Sequence, residues 1–304
     1  MASLKELKDR IESVKSTQKI TKAMKMVAAS RLRKAKKSVE DSRPYADNIQ
    51  KMISNLASNI SVRGNFDEEF PLLTGKGKSK THLVVILSSD RGLCGGLNGA
   101  TVRFAKKRIK ELEKENKNIK IICVGKKAYD QLRSKFDDKV IDKKFDIFKD
   151  IISYDKAVEI ADDIIERYSN DEFDICEVIY SKFKSAISQE PVNKQLIPAL
   201  IETNDGEGKK SSAKSANSLE MPIEYEPSQE LVLSNLLPRN LAMQIFNELL
   251  ENSASEQGAR MAAMESATNN AGKMIKDLTL VYNRTRQANI TRELIDIISG
   301  ANAV

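Results

Sequence analysis

The sequence predicts an α/β domain with a doubly wound, mainly parallel sheet, joined to a long antiparallel coiled coil of the N- and C-terminal helices. Helical spacing of apolar residues runs through both ends of the chain, and strand and helix patterns alternate in the middle. Aromatic residues make up only 5% of the 304 residues, a composition closer to that of long helices than to one compact globule.

The N-terminal helix of the coil is expected over residues 1–60. Leu4, Leu7 and Ile11 follow one another at three- and four-residue spacing, and the pattern resumes at Ala28. No Pro or Gly interrupts it before Pro44, and the helix is expected to continue beyond a kink there.

The same N-terminal helix carries the basic excess of the chain. Residues 1–43 hold thirteen Lys or Arg and five Asp or Glu, a surplus close to the net charge of +7 for the whole chain. The strip 19–37 contains eight basic residues and no acid. Such a strip is expected to meet nucleic acid, anionic lipid or an acidic protein surface, and to act at contact range because salt screens it.

The C-terminal helix is expected over residues 228–304. Apolar and small residues recur at helical spacing from Ala271 to Ile298, and no Pro follows Pro238. About 60 helical residues span roughly 90–100 Å, whereas a middle domain of this size has a radius of gyration of roughly 14 Å. The helix therefore needs a partner along its length, and the N-terminal helix is the available one. Small residues, which are eleven of the twenty over 253–272, are expected to let the two backbones approach closely.

The middle of the chain, residues 78–203, is expected to form a Rossmann-like α/β domain. Strands are predicted at "HLVVILSS", "IKIICVG", "DICEVIYSKF" and "KQLIPAL", with helical patterns between the first three. Residues 204–222 are rich in Gly, Ser, Lys and Asn and poor in apolar side chains, which predicts a flexible insertion.

The segment "SSDRGLCGGLNG" has the look of a phosphate-binding loop between a strand and a helix. Its glycines, Gly92, Gly95, Gly96 and Gly99, fit neither G-x-G-x-x-G nor a Walker loop, and the second strand ends in "CVGKK" without the acid that would hold a ribose. The favoured interpretation is a turn that needs positive φ at several points, with Asn98 as helix N-cap. Phosphate binding is the lesser alternative, so no cofactor is predicted.

Residues of a catalytic or metal site are not grouped in this sequence. The single histidine, His82, opens a strand and is interpreted as a boundary residue, and Asp90 beside Arg91 is interpreted as a local salt bridge or turn. The three cysteines have no paired spacing, which argues against a disulfide framework or a zinc site. No run of about 20 apolar residues suggests a membrane span, and the N-terminus is unlike a secretory signal.

Three segments resemble the γ subunits of F-type ATP synthases in order, spacing and position. They are "STQKITKAMKMVAASRLRKA", "SSDRGLCGGLN" and "EQGARMAAMESATNNAGKMIKDLTLVYNRTRQANITRELIDIISGA". The resemblance implies a non-catalytic central stalk whose coiled coil rotates inside a ring of α and β subunits. It also implies that the α/β domain sits with the ε subunit on the membrane ring of c subunits, at the cytoplasmic face of a bacterial inner membrane. Proton flow would then turn the c-ring and the stalk together.

The resemblance also assigns contact residues, motif by motif. Contacts with the β subunit are implied for three groups of side chains, in the basic arm, the glycine loop and the C-terminal helix: Met24, Lys25, Arg31, Arg33, Asp90, Cys94, Arg260, Arg286, Gln287, Thr291 and Glu293. The segment "PIEYEPSQ", with Glu224, Tyr225 and Glu226, resembles the foot that touches the c-ring.

Two other classes of function remain open at this stage. A basic coiled coil that binds nucleic acid is supported by the N-terminal arm but weakened by the lack of interleaved aromatic residues. A dinucleotide-dependent enzyme is the third choice. The stalk interpretation predicts no nucleic acid among the partners and no membrane-spanning segment in this chain.

Overall fold

The computed structural model describes residues 3–60, 70–148, 152–199, 226 and 228–301. Within these residues the elements follow in the order α1 (Leu4–Ile60), α2 (Pro71–Thr74), β1 (Thr81–Leu87), α3 (Leu97–Lys114), β2 (Asn118–Val124), α4 (Lys126–Phe136), β3 (Val140–Lys144), α5 (Tyr154–Ser169), β4 (Ile175–Phe183), β5 (Gln189–Ile197) and α6 (Gln229–Ala301). A short 3₁₀ helix, Asp137–Lys139, links α4 to β3. The expected insertion at 204–222 lies outside the described residues.

The five strands form one sheet in the order β3-β2-β1-β4-β5. Strands β1 to β4 run parallel, with Val85 of β1 between Ile122 of β2 and Val178 of β4, and β5 pairs antiparallel with β4. The predicted doubly wound, mainly parallel sheet is confirmed. Strand β3 was not foreseen because its sequence, "VIDKK", is short and charged and lies half-buried at the sheet edge.

Helices cover both faces of the sheet. On one face, Val84, Ile86 and Ile121 pack against α3 and α4. On the other, Leu83 and Val85 pack against α5 and the first half of α6, including Leu249. The C-terminal helix is therefore part of the domain core from Leu241 to Leu250 and leaves that core farther along. This is why the coil and the α/β domain form one connected body.

Helices α1 and α6 pair in antiparallel orientation, as predicted. Ser42 Oγ donates to Asn247 Oδ1 at 2.8 Å, and Lys25 Nζ lies 2.7 Å from Glu265 Oε1, so numbers fall along α1 as they rise along α6. At Gly272 an added Cβ would lie 3.0 Å from Nε2 of the Gln18 side chain, so the Gln18 amide of α1 occupies the space beside this glycine. That the small residues over 253–272 let the two backbones approach closely stays a prediction.

The last turns of α6 extend past the beginning of α1. Continued at the same register, Leu4 lies opposite Thr285, so residues 286–301 have no α1 partner. The side chains there agree with this, since all those described from Ile290 onward are exposed, Ile297 by 67%. A single helix thus protrudes from the paired coil.

Both long helices contain a proline, Pro44 in α1 and Pro238 in α6, and both continue through it. Pro44 lies well inside α1, so the helix extends past it as expected. Neither these two helices nor any other in the described residues carries an apolar stretch sufficient to span a membrane.

Candidate partner-binding surface

The glycine loop (residues 88–96) lies where a doubly wound sheet would bind a ligand, at the carboxyl ends of β1 and β4 on either side of the strand-order switch. Here the loop packs against α6 instead. Arg260 Nη2 donates to the Gly92 carbonyl at 3.1 Å, and an added Cβ on Gly95 would lie 3.9 Å from the Ala263 methyl. The coiled coil therefore packs on the domain at the crevice of the sheet.

The conformation of the glycine loop differs from the one predicted. Among its three glycines only Gly95 has a positive φ, at 60°, and the second left-handed residue is Leu93, at 64°. Helix α3 follows Gly96, so Asn98 is its second residue, and the prediction that Asn98 is the N-cap is wrong. The amide of Asn98 points back into the loop instead of closing the helix end.

Asn98 is the buried centre of the loop. Its Nδ2 donates to Ser89 Oγ at 2.7 Å and to Cys94 Sγ at 3.1 Å, and its Oδ1 accepts from the Ser89 backbone N–H at 3.1 Å. A buried amide with three partners holds the backbone in one arrangement, because losing any partner would leave a polar atom unsatisfied. Sequence reasoning missed this role because the partners belong to a loop whose path was unknown.

Two predicted contact residues in the loop point inward. Cys94 is 2% exposed, so its thiol is not available to a partner on this surface. The Asp90 carboxylate accepts from the backbone N–H groups of Lys126 and Phe148, each at 3.1 Å, and ties the loop to the start of α4. Of the two interpretations of Asp90 beside Arg91, a local salt bridge or a turn, the salt bridge is wrong because the carboxylate bonds these backbone groups instead. The contact of this loop with a β subunit stays a prediction.

Arg260 lies in the joint between loop and coil. Besides its bond to Gly92, its Nη2 lies 2.6 Å from Glu256 Oε1, and the two side chains are only 11% and 4% exposed. Burial raises the pKa of Glu256, Arg260 and Arg31 oppose that rise, and Asp90 adds to it. Arg260 therefore compensates a buried carboxylate and secures the loop with one group, and its predicted contact with a β subunit remains untested.

The predicted contact residues of α1 differ in their exposure. Arg31 and Arg33 are exposed, whereas Met24 and Lys25 are half-buried beside α6. An open cleft of about 360 Å³ lies beside Lys25, with Lys19 and Lys22 on its rim and Glu265 as the acid in its lining. Exposed Met26 and Val27, which the sequence analysis did not single out, add apolar surface to this basic side.

The four predicted contact residues near the end of α6 are all exposed: Arg286, Gln287, Thr291 and Glu293. They lie on the protruding helix, about 40–50 Å along its axis from Arg260 at a rise of 1.5 Å per residue. The structure therefore separates the predicted contacts into two groups, one around the glycine loop and the basic arm and one at the tip. Glu226 is exposed, and Glu224 and Tyr225 lie outside the described residues.

A polar seam joins α6 to strands β4 and β5, and sequence reasoning missed it. Ser255 Oγ donates to the Ser181 carbonyl at 2.7 Å. Glu248, 3% exposed, lies 3.1 Å from Lys194 Nζ, and burial raises its pKa to about 7 while Lys194 opposes the rise. In the sequence these residues look like the solvated side of a helix, because nothing in the local pattern shows that a sheet covers them.

The chain resembles the same group of proteins in its family model, in sequence and among solved structures. The family model described as ATP synthase matches residues 3–304. The ATP synthase gamma chains of Pelagibacter ubique and Methylorubrum populi are 48% and 49% identical to the chain over 306 and 304 residues. Each match covers the whole of this chain and the whole of the relative.

Among solved structures, a chain from the central stalk and c-ring structure of the Tetrahymena thermophila mitochondrial ATP synthase is 28% identical to this chain, with a TM-score of 0.59. The match covers 82% of this chain and 99% of that chain. A chain of the Euglena gracilis mitochondrial ATP synthase, in rotational state 3, shares the fold with a TM-score of 0.63 at 23% identity, over 99% of this chain and 94% of that chain.

Proposed function

The chain belongs to the ATP synthase gamma chain family, and on that premise we propose that it is the central-stalk rotor of a proton-translocating F-type ATP synthase. The chain is a non-catalytic subunit, and the chemistry takes place in the β subunits. Its role is to couple rotation of a c-ring to ATP synthesis or hydrolysis at the β-subunit sites. The nucleic-acid-binding alternative has no support from its relatives.

One observation carries the mechanical part of this proposal. The α/β domain and the coil share a core, and the tip of α6 projects far beyond both. Torque applied to the domain therefore reaches the tip through continuous helix, because no loop interrupts α6 from Gln229 to Ala301. A rod of this kind is suited to transmit rotation.

The surface of the coil suits turning within a protein sleeve. Charged pairs on it are exposed, such as Lys25 with Glu265, whose side chains are 37% and 51% exposed. Exposed ion pairs contribute only about 0–1 kcal/mol, so contacts of this kind with a sleeve are made and exchanged at low cost. Each β conformation would be selected by the side of the shaft that it meets, which is a population shift imposed mechanically.

The predicted contact residues lie in three regions of the stalk: the basic arm, the tip and the foot. We place the basic arm, with Met24, Lys25, Arg31 and Arg33, against acidic segments of the β subunits. The tip residues, from Arg286 to Glu293, would meet a β loop higher in the ring. The foot, Glu224 to Glu226, would touch the c-ring beside the ε subunit, at the cytoplasmic face of a bacterial inner membrane.

Co-purification tests this assignment. An affinity tag on this chain, expressed with its own α and β subunits, is expected to recover both subunits in a stable complex with nucleotide-hydrolysing activity. The free chain, passed over the same column and assayed alone, is the control and is expected to hydrolyse nothing. Recovery of the folded chain without α and β subunits would refute the rotor assignment.

A further inference from the structure

The glycine loop presents one large apolar side chain to solvent, that of Leu93. It is 64% exposed, and its backbone has a φ of 64°, in the left-handed region that leucine disfavours. Glycine would occupy this position without strain, and the loop already contains three glycines. An exposed apolar side chain on a strained backbone is a combination that stability alone does not select, and such outliers cluster at functional sites.

Hydrogen bonds hold the loop on both sides of Leu93. Ser89 Oγ donates to the Arg91 carbonyl at 2.6 Å, and Arg260 fixes the Gly92 carbonyl. On the other side, Asn98 Nδ2 donates to Cys94 Sγ. The backbone that flanks Leu93 is thus attached to α3 and α6, and the leucine side chain is held outward.

We propose that Leu93 is an apolar contact residue of the rotor, inserted into an apolar recess of a β subunit rimmed by carboxylates, and that Asn98 is the residue that positions it. This inference rests on the proposed function and moves the loop's contact from the buried Cys94 to its exposed neighbour. Because the loop is already ordered, docking of Leu93 costs little conformational entropy.

The charge around the loop favours an acidic partner surface. Arg91 is exposed beside Leu93, and Arg31 acts electrostatically on nearby Glu256 from α1. The acids of the loop region are already engaged, Asp90 by two backbone N–H groups and Glu256 by Arg260. The surface left for a partner is therefore basic around one apolar side chain, which is complementary to carboxylates around an apolar recess.

Thiol labelling of a Leu93→Cys variant tests the contact directly. The native cysteines, Cys94, Cys123 and Cys176, are all buried, so a maleimide reagent should modify mainly the introduced thiol in the folded chain. We expect labelling to slow by roughly tenfold when the chain is assembled with α and β subunits, the factor that corresponds to about 1.4 kcal/mol of protection. The matched control is Met52→Cys, at an exposed position on α1, which should label equally in both states.

The outcomes separate this inference from the proposed function. If the Leu93→Cys variant assembles with α and β subunits but labels as fast as in the free chain, Leu93 makes no contact and the inference is overturned while the rotor assignment stands. If neither the variant nor the unmodified chain assembles, the proposed function itself fails, and the inference fails with it.

A double-mutant cycle tests the positioning role of Asn98. Leu93→Ala and Asn98→Ala should each lower coupled ATP turnover several-fold, and the double variant should lose no more than the worse single variant, because both remove the same contact. Thr101→Ala is the control, since Thr101 is buried in α3 and bonds Ser181 rather than the loop. The loss of turnover caused by Thr101→Ala should add to the loss caused by Leu93→Ala. If the loss caused by Asn98→Ala also added to that of Leu93→Ala, Asn98 would have only a structural role.

Discussion

Arg260, in the middle of α6, donates from Nη2 to the carbonyl of Gly92, 3.1 Å away and 168 residues earlier in the chain. The bond joins the rotating helix to the loop at the carboxyl end of β1. In other doubly wound domains a ligand would occupy that place. In this chain α6 packs against the crevice instead. The loop resembles a phosphate cradle in sequence because it forms the same strand-to-helix turn of a doubly wound domain.

Replacement of Arg260 should weaken this joint. In an Arg260→Ala variant, buried Glu256 loses its cation, and removing one partner of a buried pair costs about 3–5 kcal/mol. Urea denaturation should therefore show a loss of about 3 kcal/mol in the free energy of unfolding. An Arg260→Ala/Glu256→Gln double variant should recover most of it, and failure to recover would mean that Arg260 stabilises the joint through its bond to Gly92 or through packing rather than through Glu256.

Replacement of Arg286 and Gln287 together by alanine should lower coupled ATP turnover of the assembled complex without unfolding the chain. Both side chains are exposed on the protruding helix, where substitutions typically change stability by less than about 0.5 kcal/mol. The matched control is Arg292→Ala, an exposed arginine on the same protruding helix that lies about 120–140° around the helix from both replaced side chains. Unchanged turnover in the double variant would make the tip a passive part of the rotor.

The stability of the chain should depend on pH through Glu248. Burial raises its pKa from 4.5 to about 7, Lys194 of β5 opposes this, and Glu251 on the same helix adds to it, while Cys176 and Tyr180 face it from β4. Below about pH 4.5 the carboxyl is neutral in folded and unfolded chains alike, so its stabilising contribution is fully present. As pH rises toward 7 the unfolded chain ionises first, and the free energy of unfolding falls by about 3 kcal/mol at 1.36 kcal/mol per pKa unit.

A Glu248→Gln variant should lack that fall. It should match the unmodified chain near pH 4 and exceed it in stability at pH 8, when unfolding is followed by circular dichroism at both values. Glu251→Gln, the control on the same helix, should show a smaller difference, because Glu251 is less buried and faces Lys182, Arg43 and Lys194. Parallel pH profiles for Glu248→Gln and the unmodified chain would contradict the assignment.

Glu177 should show the opposite dependence on pH. Burial alone would raise its pKa, but hydrogen bonds from Arg108 and Asn193, together with the nearby imidazole of His82, outweigh burial and lower it to about 2. Its stabilising contribution is therefore present above about pH 4.5 and lost as pH falls toward 2.

A Glu177→Gln variant is expected to lose about 3 kcal/mol at pH 7, as for other broken buried pairs. The difference from the unmodified chain should narrow in acid, and thermal unfolding measured at pH 7 and pH 3 would show it. A constant difference between the two pH values would mean that the charge of Glu177 is unimportant. His82, interpreted from the sequence as a strand-boundary residue, is the second residue of β1 and is buried, with its Nδ1 3.4 Å from Glu177 Oε1.

The sequence predicted the features of the fold that depend on local periodicity and missed those that depend on distant partners. The spacing of Leu4, Leu7 and Ile11 was enough to identify the coil, and apolar runs identified four strands. Strand β3 was not predicted because an edge strand buries too few side chains to produce a pattern of apolar residues.

The candidate site shows the same division. Motif resemblance located the loop, the basic arm and the tip, but burial of Cys94 and exposure of Leu93 accompany the left-handed backbone at Leu93 and Gly95, on either side of Cys94. The role of Asn98 depends on the path of a loop that no periodic pattern describes. Glu248 looks solvated in the sequence because its cover comes from β4 and β5, about 50–70 residues away along the chain.

Single-molecule observation of rotation tests the central proposal most directly. Ile187, 87% exposed in the turn between β4 and β5, offers a site for a bead through an Ile187→Cys variant, while the α and β ring is fixed to a surface. On addition of ATP the bead should turn in one direction, at a rate that follows ATP hydrolysis. Hydrolysis at the full rate with a stationary bead would contradict the proposal that this chain is the rotor.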